Sequence, residues 1–424
     1  MADKTEQKLI RVRYENLQSG DVILTTTRQT LSKLIRKVTN SDISHAMVCV
    51  AGGSVMDSTA EGVHARNVLR LVFHADCAVH VLRAEPPLST EEVAAVVTYA
   101  RSQNGARYTK VGAVQSIVGV GKVGAKQFCS RLVAQAYRHA GVQLVDDADY
   151  CHPGELLTTK RLVEVPDMLC EATDAYVRAS EEEGDLTQQM RAAINEILNE
   201  ARKLDSSIEH FDDLNRHLLA HPENDGKLCD ILENSGYLSL WQVELNGSPW
   251  YSLVTMRALP QEQVDVYAAQ LLSDDDLGPN RFILNRGGYM ALTTHTALRY
   301  FGRMLDLNER LAALHATRVR VAREYLVERG LLEPEEKLPP LPHTKKWFEA
   351  LRHWDPKQAA LTEYVLSAEG THNCCTICGD TPAGDFRAPD GGEAGGPGSY
   401  RLCDDCARIQ RSMYDTVLIP WPKE

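Results

Sequence analysis

The chain has 424 residues, 43% hydrophobic and 25% charged, a globular composition that excludes a wholly disordered protein, a collagen or a small disulfide scaffold. Its net charge of −12 argues against nucleic-acid binding through an overall basic surface. No apolar run approaches the length of a transmembrane helix, and the opening residues MADKTEQKLIRVRYENLQ lack the apolar core of a secretory signal, so a cytoplasmic chain is expected.

Short strands come first. Residues 21–26 (DVILTT) and 45–50 (HAMVCV) read as strands, and the Ala51-Gly52-Gly53-Ser54 turn leads into a third over 54–59. Residues 62–70 and 77–83 extend the pattern into a small antiparallel sheet. A helix follows over 89–103, with Ser89 or Thr90 as cap, acidic residues in its first turn and Val93, Val96, Val97 and Ala100 in a stripe. Beyond a glycine-rich stretch, FCSRLVAQAYRHAG reads as a helix that starts near Cys129 and stops at Gly141. From 171 to 330 the pattern is helical. Residues 186–203 place Met190, Ile194, Ile197 and Leu198 on one face, and 292–329 form the longest periodic run. The Pro-rich stretch 331–343 reads as a linker, and 383–399 as a glycine-rich loop.

At about 100–200 residues per domain, the length predicts two to four domains. Charge supports a division. Residues 1–170 hold 20 Lys+Arg against 17 Asp+Glu, a net of +3, while 171–424 hold 26 against 41, a net of −15. The eleven cysteines are an odd number without a signal peptide, which fits a pool of reduced thiols.

Three residues of the first third carry chemistry. His45 opens one strand, Asp57 lies on the next, and Cys129 starts a helix. A free thiol with a pKa of about 8.5 is mostly protonated at neutral pH. A helix N-terminus stabilises the thiolate through its partial positive charge and free N–H groups. A neighbouring imidazole takes the thiol proton, and a carboxylate orients that imidazole. Across a twisted hairpin, His45 and Asp57 are expected on one face.

The ordered motifs GDVILT (Gly20–Thr25), SDISHAMVCVAGG (Ser41–Gly53), SVMDSTAEGV (Ser54–Val63), GARYT (Gly105–Thr109) and FCSRLVAQAYRHAGV (Phe128–Val142) resemble the circularly permuted papain-like cysteine hydrolases. These are the permuted NlpC-type amidases and peptidases, related to the lecithin retinol acyltransferase group. The likeness spans about residues 18–168, and in that family His precedes Cys in the chain. It implies Cys129 as nucleophile, His45 as general base and Asp57 as the polar orienting residue, a place the family often gives to Glu. His64 and His80 compete with Asp57 for the third place. Tyr108 falls where the family has an aromatic lining the cleft, and the backbone N–H of Cys129 would join the oxyanion hole. Cys49, Cys77, Cys151 and Cys170 lack the helix-start setting and read as structural. Gly119–Gly124 (GVGKVG) fits GxGxxG, but the strand before it and the helix opening at its glycines are missing, so a flexible loop is expected and no dinucleotide site.

The C-terminal region holds Cys375-Thr376-Ile377-Cys378 and Cys403-Asp404-Asp405-Cys406. Two CxxC pairs suit one tetrahedral ion, and four thiolates favour a structural zinc. The pattern resembles a zinc ribbon or treble-clef knuckle. Cys374 and His372 adjoin the first pair as alternative ligands.

The expected architecture is α+β. A permuted papain-like hydrolase domain with a small antiparallel sheet occupies 1–170, a helical domain 171–335, and a linker with a four-cysteine zinc module 336–424. The expected activity is cysteine-dependent cleavage of an amide bond in a peptide or protein. An acyltransferase or lipid hydrolase using the same dyad is the first rival. A non-catalytic protein is the second, binding a protein partner through the helical or zinc module.

Overall fold

In the computed structural model, which describes residues 8–26, 42–51, 53–108, 127–182, 186–276, 280–332, 339–387, 397–413 and 417–421, the N-terminal apolar segments form a six-stranded antiparallel sheet. The GVGKVG run lies outside the described residues. The chain divides into two compact units, Met1–Glu244 and Leu245–Glu424.

In the first unit the strands are β1 Leu9–Val12, β2 Val22–Thr25, β3 His45–Ala51, β4 Ser54–Thr59, β5 Gly62–Asn67, β6 Val72–His74, β7 Val79–Ala84, β8 Leu162–Glu164 and β9 Leu169–Glu171. The large sheet runs β5-β4-β3-β2-β7-β8, and a second sheet runs β6-β1-β9. The expected strand over 62–70 ends at Asn67. There the Asn67 side chain accepts from the Leu69 N–H and starts a 3-10 turn over Val68–Arg70.

Helices α1 Thr90–Ser102 and α2 Cys129–His139 cover one face of the large sheet. Their Val96, Leu132, Val133 and Tyr137 pack on Leu24, Val48 and Met56. On the other face Ile23, Met47, Val55 and Val81 meet Val12 and Met168 beside the small sheet. Burial on both faces explains why β2 and β3 read as continuous apolar runs rather than alternating ones. Ser89 and Glu92 form a reciprocal capping box that fixes the start of α1, with Ser89 N–H to Glu92 Oε2 at 2.7 Å. The rest of the unit is α3 Pro153–Thr158, α4 Asp174–Glu182, α5 Leu186–Arg202, α6 Phe211–Ala220 and α7 Asp225–Asn234. Helix α8, Leu240–Gly247, crosses the division between the units.

The second unit contains α9 Leu253–Arg257, α10 Gln261–Asp276, α11 Arg281–His295 and α12 Arg299–Glu328. The single periodic run expected over 292–329 is therefore two helices. Thr293, Thr294 and Thr296 turn their hydroxyls back to the carbonyls of Tyr289, Met290 and Leu292, and Thr296 adopts extended backbone. Residues of this type lower helix propensity and compete for backbone groups. Val264 and Ala268 of α10 pack against Val321, Ala322 and Tyr325 of α12. Helices α13 Lys345–Trp354 and α14 Pro356–Glu369 meet at Asp355, which caps α14 and pairs with Arg286 at 3.0 Å in a buried site. The C-terminal module is a β11-β10-β12 sheet followed in part by α15 Asp404–Met413, with β10 Gly384–Arg387, β11 Ser399–Leu402 and β12 Ile419–Pro420. No described helix is long and apolar enough to cross a membrane.

Candidate active site and metal centre

Two adjoining hairpins position the first group of residues. In the β3–β4 ladder Met47 faces Asp57, so His45, two residues earlier, is the diagonal neighbour of Asp57 on the same side of the pleat. Their side chains meet, with His45 Nε2 at 2.6 Å from Asp57 Oδ1. In the β4–β5 hairpin Val55 faces Arg66, which sets Arg66 diagonal to Asp57 from the other side. Arg66 Nε lies 2.8 Å from Asp57 Oδ2. The Asp57 carboxylate, only 1% exposed, thus sits between an imidazole and a guanidinium.

Cys129 is the first residue of α2, and no side chain caps that helix. Its uncapped first turn leaves the positive end of the helix dipole at the thiol. Cys129 is buried and hydrogen-bonds the His45 ring. Because Nε2 is engaged by Asp57, Nδ1 is the nitrogen left for the sulfur.

The charges follow from this arrangement. Burial is the largest single influence on His45 and works against its protonation. The Asp57 carboxylate, and then Cys129, outweigh it and hold the imidazole protonated well above its ordinary range. Burial likewise disfavours the charged form of Asp57, yet His45 and Arg66 bring its pKa below the usual carboxylate value. Tyr108 is pushed up, first by burial and then by the charges of Cys129 and Asp57. The two rival histidines have other partners. His64 Nε2 lies 3.0 Å from the Glu61 carbonyl, and His80 Nδ1 lies 2.8 Å from Glu164 Oε1.

Polar contacts hold α2 in place. The Ser130 hydroxyl donates to the Cys151 carbonyl at 2.7 Å, and the Tyr137 hydroxyl to the Gly20 carbonyl at 2.6 Å. Gln127, two residues before Cys129, donates from Nε2 to Gln103 and Gln135, each at 2.9 Å. Cys151 is buried and its thiol is pushed up by that burial. All eleven cysteines are free.

Arg66 escaped the sequence reading, although a signal was present. The Thr59↔Gly62 closure of the β4–β5 hairpin dictates that residue 66 stands diagonal to residue 57.

In the second unit Cys375, Cys378, Cys403 and Cys406 place their four sulfurs within 4.8 Å of one another. Cys378 Sγ lies 3.6 Å from both Cys403 Sγ and Cys406 Sγ. Four thiolates on a tetrahedral ion at about 2.3 Å would stand about 3.8 Å apart, so the donor set and its spacing fit such an ion. Of the alternative ligands, Cys374 donates to the Thr371 carbonyl, and the His372 carbonyl accepts from His343 and Arg401.

This fold, a permuted order of histidine strand and cysteine helix on a two-faced sheet, is that of a permuted papain-like domain. Residues 16–154 match the family of permuted papain-like amidase enzymes described as YaeF/YiiX, C92. Among solved structures, that of the metalloprotein yiiX from Escherichia coli O157:H7 is 17% identical, with a TM-score of 0.24, and the alignment covers 35% of this chain and 96% of that one. No curated protein matches. Residues 16–154 are thus similar to permuted papain-like amidases, a hydrolase family.

Proposed function

We propose that the first unit is a cysteine hydrolase that cleaves an amide bond in a peptide or protein, with Cys129 as nucleophile, His45 as general base and acid, and Asp57 as orienting carboxylate. The observation that carries this reading is the 2.6 Å contact of His45 Nε2 with buried Asp57, on an imidazole whose other side faces a helix-start thiol. The match of residues 16–154 to permuted papain-like amidases supports it.

The chemistry follows from the charges. The reacting form of the nucleophile is the thiolate, whose proton the adjacent His45 accepts. The thiolate attacks the amide carbonyl carbon, and the carbonyl π pair moves to oxygen, which the Cys129 N–H at the start of α2 is placed to stabilise. The intermediate collapses and breaks the C–N bond as the imidazolium protonates the departing amine. The resulting thioester is attacked by water, whose proton passes to His45. Collapse releases a carboxylic acid and regenerates the thiolate–imidazolium pair. Asp57 keeps Nε2 protonated and Nδ1 directed at the sulfur throughout.

The four-cysteine cluster is proposed to hold zinc through Cys375, Cys378, Cys403 and Cys406. An ion held by four thiolates has no open position, so its part is to staple the module rather than to catalyse. Eleven free thiols support a reducing, cytosolic setting.

The test is the rate of iodoacetamide alkylation at each cysteine, read by peptide mass spectrometry against pH. At pH 6 Cys129 is expected to react about a hundredfold faster than half-buried Cys77, and to lose that lead in His45→Ala. A Cys129 that is no faster than Cys77 would overturn the hydrolase reading.

A further inference from the structure

The helical segment that follows the matched domain reaches back to two neighbouring segments beside the candidate active site, the β4–β5 turn and residues 105–107, which are joined by the hydrogen bond from the Gly105 N–H to the Val63 carbonyl. Helix α5 lies outside residues 16–154, yet two of its side chains hold the turn between β4 and β5. Arg191 pairs with Glu61 at 2.8 Å, and Asn195 Nδ2 donates to the Glu61 carbonyl at 3.2 Å. That turn ends the strand that carries Asp57.

At the neighbouring segment the contact is closer. Gly105 has φ +86°, and a Cβ built there would collide with Leu198 Cδ1 and stand 3.0 Å from Ile194 Cγ2. Only glycine lets α5 approach the backbone this tightly. Arg202 extends the contact, donating from Nη2 to the Gly105 carbonyl and to the Glu209 carbonyl, both at 2.8 Å.

Glu209 completes the clamp. It is 4% exposed, and its Oε2 accepts the backbone N–H of Arg107 at 3.1 Å. The same carboxylate takes Arg107 Nε at 2.9 Å and pairs with Nη2 of that guanidinium. The Arg107 carbonyl in turn accepts the Gln127 N–H at 2.9 Å, and Tyr108 bridges to Gln127 in parallel. From Glu209 to Gln127, two residues before Cys129, there are thus two hydrogen bonds, one from the Arg107 N–H to the carboxylate and one from the Gln127 N–H to the Arg107 carbonyl.

We infer that Glu209 is a positioning residue for the Cys129–His45 pair, and that α5 and the segment to Glu209 form part of the working hydrolase rather than an appended domain. The clamp sets the height of segment 105–108. That segment sets Gln127, and Gln127 sets the start of α2 and the sulfur on it. The inference rests on the proposed reading of Cys129 and His45 as an activated pair.

The experiment uses the full chain and the alkylation rate of Cys129 at pH 6 divided by its rate at pH 9.5, where an unassisted thiol is also ionised. Glu209→Gln keeps the shape and removes the charge that holds the Arg107 fork. Its ratio is expected to fall about tenfold. Arg191→Gln acts on the Glu61 turn, and its ratio is expected to fall about threefold. A merely structural role would lower the melting temperature and leave both ratios at the wild-type value, and that result would overturn the inference. Should Glu209→Gln fail to fold, the ratio in Arg191→Gln decides. A wild-type chain whose Cys129 shows no reactivity at pH 6 would instead overturn the hydrolase reading itself.

Discussion

Asp57→Asn replaces one buried oxygen by an amide nitrogen and removes the charge between His45 and Arg66. The imidazolium and carboxylate charge centres stand about 4 Å apart, where opposite unit charges attract by about 4 kcal/mol at the effective dielectric that suits protein sites. Losing that attraction lowers the His45 pKa, because the carboxylate is the largest influence that raises it. Arg66, left without its partner 2.8 Å away, pushes in the same direction. Burial, already the largest influence on His45, then prevails and the ring becomes neutral. The thiolate loses its counter-ion, and alkylation of Cys129 by iodoacetamide at pH 6 is expected to fall about a hundredfold, while the rate at pH 10 stays within about threefold. Stability provides a second reading. The raised His45 contributes stability that is complete below its unfolded value of about 6.5 and is lost as pH rises through its higher folded value. The depressed Asp57 contributes stability present above about 3.9 and lost as pH falls through its lower folded value. The deficit of Asp57→Asn in chemical denaturation should therefore be widest between about pH 4 and 6.5 and shrink on either side. An alkylation profile with an unchanged acid limb would refute the argument that Asp57 sets the charge on His45.

Gly105→Ala forces a methyl into Leu198 and Ile194 at a positive φ, and should destabilise the chain by about 2–4 kcal/mol in urea unfolding. Arg286→Ala strands the buried Asp355 carboxylate, and should cost about 3–5 kcal/mol by the same measurement. Zinc released by a chelator and counted with a colorimetric dye should amount to one ion per chain. Cys378→Ser should abolish tight retention, since a fourth thiolate is removed from a closed tetrahedral set.

Much of the candidate site was legible because its residues sit at element boundaries that local signals define. The Gly53 turn, the apolar strands on either side of it and the amphipathic run after Phe128 fix where His45, Asp57 and Cys129 fall. The two CxxC pairs were legible because their spacing is itself the chemistry. The small second sheet was not. Its strands β6 and β9 have three residues each and pair with β1 across the length of the domain, too short for a period to register. The break between α11 and α12 was hidden because its threonines continue the apolar spacing while their hydroxyls compete for the carbonyls.

Glu209 marks the deeper limit of local reading. By sequence it is one acidic residue in an acidic region, and nothing within twenty residues distinguishes it. Its character comes from Arg107, 102 positions earlier, and from burial that only the packed helix supplies. A carboxylate taken out of water is costly unless its lone pairs are met, so its place between Arg107 and Arg202 implies that the two segments form together. The same logic joins Asp57 to Arg66 inside the hairpin. In both cases a buried acid is held by an arginine from another segment; Asp57 touches His45 directly, and Glu209 is linked through Arg107 to Gln127, two residues before Cys129. The charges that would activate the thiol are thus placed by the same packing that brings the segments together. A variant that loosens that packing at either arginine should therefore show itself in the titration of Cys129 as well as in the unfolding midpoint.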